Sequence, residues 1–334
     1  MRASSTTLPE SEAIEHLASV AAGEVEIDAA IVRVRPRSVE GARRAIAAAA
    51  ERGLRFEEGG LVLDRSGLCH VGLVDPRAMW IHCGAGAPLR AVERSLTRAG
   101  LTLGSQPPSI FEGTVADWLE GPYAGRRAMD GRLEPGVAAI EAALPDGTAL
   151  ATRAAPRSAA GPAVAHLILG GGGACGHLLG ATLKAQPVLR KREVVAIEGE
   201  GAKLAALLAR TLRTQLLPWE VSLVGPSLLE VVWPIEREDQ RVALQSLRRH
   251  GQEAGLQVLR RQLQEPSAGV ETELPTAELQ RIFAAVREGE TFRFVRLSRE
   301  SVVAVGPRQL PGGLRQGGDL LGRIAAALRA GGGR

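Results

Sequence analysis

One short stretch constrains the fold of this 334-residue chain more than any other. Ile31, Val32, Arg33, Val34 and Arg35 alternate apolar with polar, the period of a half-buried strand. Pro36 breaks the run, and residues 39–52 then follow helical spacing, rich in alanine, before Gly53 closes them. Gly53-Leu54-Arg55-Phe56 returns to extended chain. Strand, helix and strand in so short a span predict a small βαβ unit.

The chain beyond this unit is strand-rich. Residues 61–64, 68–74 and 79–83 read as strands, the last two joined across the turn-forming Asp75-Pro76-Arg77. Residues 88–99 read as a helix with Pro88 in its first turn and Gly100 at its end. From 102 to 134 Gly, Pro and Ser dominate without periodicity, which predicts long loops. Strands 137–144 and 148–152 flank Pro145-Asp146-Gly147, a strong hairpin signal. Ahead of all this, residues 11–22 read as a short amphipathic helix, a packing appendage.

The pattern changes near residue 193. A helix at 202–216, strands at 220–224 and 228–232, a charged helix at 236–254 and a strand at 256–261 give a ferredoxin-like order. The expected division is therefore an N-terminal helical appendage at 1–29, one α+β domain at 30–192 and a second at 193–334.

Composition narrows the function. The 41 basic residues are scattered among 37 acidic ones, and aromatics are 3%, so the net charge of +4 does not mark a nucleic-acid surface. No apolar run approaches the ~20 residues of a membrane helix. The N-terminus has no apolar core of signal-peptide length, and three cysteines at 69, 83 and 175 make no disulfide framework. A cytoplasmic protein is expected. Cys69-His70 and His82-Cys83 look like metal ligands, but strand neighbours point to opposite faces, so no metal site is assigned. Pairing of residues 74 and 79 would set His70 opposite Cys83.

Four stretches, taken in order, resemble the FAD-linked oxidases of the vanillyl-alcohol-oxidase type. They are VRPRSVEGARRAIAAAAERGLRF at 34–56, the strand, hairpin, helix and proline-bearing loop at 59–109, GVAAIEAALPDGTAL at 136–150 and HLILGGGGACGHLLGATLKAQP at 166–187. The chain looks most like the FAD-binding subunit of glycolate oxidase. The resemblance implies an α+β, PCMH-type FAD-binding fold of two small subdomains followed by a ferredoxin-like cap domain. It implies FAD held by Gly59, Gly60, Pro108, Ser109, Gly113, Thr114, Val115, Gly170, Gly173 and Gly176. It also implies oxidation of a 2-hydroxy acid such as glycolate or lactate, and partner subunits of an oxidase complex. It points to no catalytic residue.

The departures are specific. Relatives carry a glycine-rich phosphate loop after the first strand and helix, whereas here Phe56-Glu57-Glu58-Gly59-Gly60 runs straight into Leu61. Two carboxylates thus stand where a dianionic pyrophosphate would be repelled. Asp117 replaces a glycine in Gly113-Thr114-Val115-Ala116-Asp117, and the 170–176 run keeps its glycines but lacks the family's Ser and Glu. Gly171, Gly173 and Gly176 also fit a dinucleotide fingerprint, a weak match in a chain with 40 glycines. Trp118 and Tyr123 fall in the long loop, as do Arg126 and Arg127, which have the chemistry to grip a carboxylate or phosphate. Two readings stand: a flavin-dependent oxidase or dehydrogenase of 2-hydroxy acids, and a pseudoenzyme kept as a subunit or interaction scaffold.

Overall fold

The computed structural model describes residues 11–21, 23–28, 31–58, 60–121, 125, 136–154, 164–212, 218–260, 270–275, 279–296 and 301–307. A βαβ unit is present, but its second strand is at Leu61–Leu63 and not at the expected 53–56, which form a turn and irregular chain. Strand β2 (Ile31–Arg35) leads into helix α2 (Val39–Glu51), whose first turn is capped by the Ser38 hydroxyl accepting the Gly41 N–H, and strand β3 (Leu61–Leu63) returns parallel to β2. Helix α1 (Ser11–Ala21) packs on α2, and strand β1 (Glu24–Asp28) completes a three-stranded sheet by pairing antiparallel with β2. Leu17, Val34, Ile46, Phe56 and Leu61 form the core of this unit.

The second unit is a five-stranded sheet in the order β4-β5-β9-β7-β8, built from β4 (Val71–Asp75), β5 (Trp80–Gly84), β7 (Val137–Ala143), β8 (Ala149–Ala151) and β9 (His177–Lys184). Helices α3 (Leu89–Arg98) and α4 (Val115–Glu120) cover one face, and Ile81, Leu96, Trp118, Ile140 and Leu178 fill the space between. Short strands β6 (Leu101–Thr102) and β10 (Gln186–Pro187) pair at one side. The two units share a core, since Ala143 and Leu179 of the second sheet pack with the residues of the first.

Two more expectations change here. Cys83 lies opposite Val71, not His70, because the hairpin pairs Asp75 with Trp80 and not residue 74 with 79, and the irregularity between Val71 and Val74 corrects this offset by only one residue. The segment 102–134 is not all loop: it contains a 3-10 turn at Pro108–Glu112 and helix α4. Trp118 is accordingly a buried core residue.

The remaining described residues form a seven-stranded antiparallel sheet. Its centre is a ferredoxin-like βαββαβ unit made of β11 (Arg192–Glu198), α5 (Gly201–Leu212), β12 (Glu220–Val224), β13 (Leu228–Pro234), α6 (Glu238–Glu253) and β14 (Gln257–Arg260). These strands take the spatial order β14-β11-β13-β12, and the sheet is extended past β12 by β16 (Thr291–Arg296), β17 (Ser301–Gly306) and β15 (Val270–Pro275). Helix α7 (Leu279–Ala285) packs beside α5, and Trp233, Phe283, Phe292 and Leu223 anchor the core under the helices. No helix among the described residues is long and apolar enough to cross a membrane.

One close approach joins the end of β5 to the turn after β3. A Cβ placed on Gly86 would lie 1.8 Å from the Arg65 carbonyl oxygen, so only glycine lets the two backbones meet. Gly86→Ala is expected to lower unfolding free energy by about 1–3 kcal/mol or more, measured by urea denaturation. A wild-type midpoint would show that this contact is absent.

Candidate functional site

The expected cofactor-binding residues gather at two places. At the first, the turn after α2 meets the turn before β9. Arg55, Phe56, Glu57, Glu58, Gly172, Gly173 and His177 line a recess of about 140 Å³, closed on its other side by Ile46, Leu54 and Pro145. The connection from α2 to β3 is a tight reversal: Glu57 donates its N–H to the Leu61 carbonyl (2.7 Å) with φ at 65°, a left-handed conformation unusual for glutamate. Gly60 lies in this reversal and accepts the Val32 N–H through its carbonyl, while Gly59 lies outside the described residues.

The second place is the start of α4. Thr114 caps the helix: its hydroxyl accepts the Asp117 N–H, and the Asp117 carboxylate accepts both the Thr114 N–H (2.8 Å) and its hydroxyl (2.8 Å). The acid that departs from the family's pattern thus serves a capping box. Pro108 and Ser109 belong to the preceding 3-10 turn. Tyr123, Arg126 and Arg127 lie outside the described residues.

Helix α4 connects the two places. Gly170 donates to the Leu119 carbonyl (2.8 Å) and Gly172 to that of Glu120 (3.0 Å), so the glycine turn is bonded directly to the end of α4. Other main-chain donors are engaged as well: Gly113 N–H to Ile110 O, Val115 N–H to Ala87 O, and Gly176 N–H to Gly173 O.

Beneath the glycine turn sits a cluster that no local sequence pattern announces. Glu120, 6% exposed, accepts the Arg65 guanidinium at 2.6 Å and the Leu178 main-chain N–H at 2.6 Å. Burial raises the Glu120 carboxyl above its ordinary value against the pull of Arg65. His177 is buried beside it, edge-on to Phe56 with ring centres 6.1 Å apart. Its Nδ1 has no hydrogen-bond partner among the described residues. Burial foremost, then the Arg65 charge, push its pKa down to about 4, which leaves a neutral ring.

A second polar cluster lies on the face of the seven-stranded sheet opposite α5 and α6. Ala196, Glu230, Ser222 and Arg293 are laterally paired across β11, β13, β12 and β16. Arg293 donates to the Gln106 carbonyl at 3.2 Å and stands 3.7 Å from Glu220, joining this sheet to the proline-bearing loop of the first half. Gln106 Oε1, Glu220 Oε1 and Ser222 Oγ are buried with no partner among the described residues. Sequence reasoning missed all of these residues. Among the described residues no group of three His, Cys, Asp or Glu is placed to hold a metal.

Comparison with known proteins agrees with this architecture. Residues 30–153 match the family model described as FAD binding domain. A protein of Escherichia coli (strain K12) called uncharacterized FAD-linked oxidoreductase YgcU is 33% identical over 151 residues, 44% of this chain and 31% of that protein. Alkyldihydroxyacetonephosphate synthase of Caenorhabditis elegans is 28% identical over 116 residues, 34% of this chain and 19% of that protein. The matched part therefore spans a third or less of these curated relatives. Among solved structures, an alkyldihydroxyacetonephosphate synthase aligns over 90% of this chain and 74% of its own, with TM-score 0.62 and 15% identity. p-Cresol methylhydroxylase with substrate bound aligns over 96% and 86%, with TM-score 0.61 and 10% identity. The chain has the α+β, PCMH-type FAD-binding fold, and its residues 30–153 are similar to the FAD binding domain of FAD-linked oxidoreductases.

Proposed function

We propose that this chain keeps the scaffold of an FAD-linked oxidase as a non-catalytic subunit or interaction partner, a cytoplasmic pseudoenzyme with its FAD-binding half at 30–192 and its cap at 193–334. The carrying observation is where the main-chain donors go. A pyrophosphate is held by several convergent N–H groups. At Gly113, Thr114, Val115, Gly170, Gly172 and Gly176 those groups are satisfied inside the chain. Glu57 and Glu58 line the recess with Arg55, so the carboxylates outnumber the guanidinium that a dianion would meet there. The recess of about 140 Å³ is also below the roughly 300–1,000 Å³ of pockets that bury a drug-sized ligand. The described residues do not fit the pyrophosphate of FAD.

One observation favours the catalytic reading, oxidation of a 2-hydroxy acid such as glycolate or lactate within an oxidase complex. The Arg293 guanidinium and the unpaired acceptors of Gln106, Glu220 and Ser222 combine the polar groups that a substrate carboxylate and hydroxyl would need.

The two readings separate in one spectrum. Purified full-length protein, before and after incubation with excess FAD and gel filtration, is expected to lack the visible flavin bands. A retained flavin spectrum overturns the pseudoenzyme reading and directs the work to 2-hydroxy-acid turnover.

If the recess is structural, His177 acts through stability. Its folded pKa of about 4 lies below the ordinary 6.5, so between these values the unfolded chain takes up a proton that the folded chain refuses. Stability attributable to His177 is complete above pH 6.5 and falls by about 3 kcal/mol as pH drops to about 4. His177→Phe should flatten the urea midpoint over that window relative to wild type; parallel pH curves would refute the assignment.

A further inference from the structure

We propose that the Glu120 carboxylate is a built-in surrogate for the anionic part of a cofactor, satisfying from within the chain donors that would otherwise take an external phosphate. The inference rests on the reading that this scaffold carries no FAD. A guanidinium and a main-chain N–H converging on one point are the donors with which proteins hold phosphate oxygens. Here Arg65 and the Leu178 N–H converge at 2.6 Å each on the two oxygens of Glu120.

The surroundings fix the carboxylate in place. Glu120 also accepts the Gly172 N–H through its main-chain oxygen at 3.0 Å, so the same residue fixes the glycine turn. Neutral His177 and the ring of Phe56 close the neighbourhood without adding a competing cation. The charge of Glu57 acts unfavourably on Glu120, and would act likewise on a further anion arriving at the recess. The cluster lies between the 57–60 reversal and the 170–176 turn, the two segments of this chain that carry most of the expected phosphate-binding glycines.

An ordinary structural ion pair predicts damage on mutation; a surrogate also predicts replacement by a free anion. The test is thermal unfolding of the full-length wild type, Glu120→Ala and the double variant Arg65→Met/Glu120→Leu, each with inorganic phosphate and with sodium chloride at equal ionic strength. Glu120→Ala should melt roughly 5–10 °C lower, because a buried guanidinium loses its partner. Phosphate, and not chloride, should restore about half of that loss, while wild type and the double variant should ignore both salts. Glu120→Ala melting with wild type, or gaining no more from phosphate than from chloride, overturns the proposal. Should Glu120→Ala not accumulate as folded protein, its refolding from urea in the two salts decides: recovery in phosphate but not in chloride supports the surrogate, and no difference between the salts overturns it. A flavin spectrum in the wild type defeats the pseudoenzyme reading instead, a separate readout from the response to phosphate.

Discussion

The carboxylate of Glu120 is the point on which the first half of the molecule turns. It binds the 3-10 turn after β3 through Arg65 and the start of β9 through Leu178, while the Glu120 main-chain carbonyl holds the glycine turn. Three segments far apart in sequence, around Arg65, Glu120 and the 172–178 stretch, are thereby held at one buried site. Removing one partner of such a pair leaves an uncompensated charge at a cost of about 3–5 kcal/mol, a large share of the roughly 5–15 kcal/mol that stabilise a typical domain. Replacing both partners with apolar groups is far less damaging. The pair is therefore better understood as fixing where segments sit than as the source of their stability.

The two halves of the chain meet differently. The seven-stranded sheet spends its apolar face on α5, α6 and α7, where Leu223, Trp233 and Phe292 are nearly inaccessible. Its other face is also buried in the middle, yet carries Ser222, Glu230 and Arg293 side by side. Buried polar groups are tolerated when their partners are in fixed places, and here one partner, the Gln106 carbonyl, comes from the other half. The Arg293 bond to the Gln106 carbonyl favours one docking geometry, because sliding the sheet would break it and leave the guanidinium without that acceptor.

Much of the fold could be read from local signals. Period-two alternation located β2, alanine-rich helical spacing located α2, and Pro145-Asp146-Gly147 located the hairpin between β7 and β8. Helix α4 was also legible in principle, since Thr114 and Asp117 stand at capping-box spacing, but against the family pattern the acid registers as a missing glycine. The decisive pairs were not legible. Arg65 and Glu120 are 55 residues apart, and Arg293 and Gln106 are 187 apart. Nothing in a one-dimensional pattern joins such residues, because tertiary packing selects their partners.

The same contrast explains why glycines are a poor guide to whether a cofactor is held. Gly86 is required because a Cβ would strike the Arg65 carbonyl, and Gly176 because one would lie 2.5 Å from the Ala143 oxygen. Both requirements are steric and internal, and they hold whether or not anything binds nearby. The short connection into β3 is independent of these contacts, since β3 is reached directly through the reversal at Glu57. The state of the main-chain donors, not the count of glycines, therefore decides whether a phosphate has anywhere to bind.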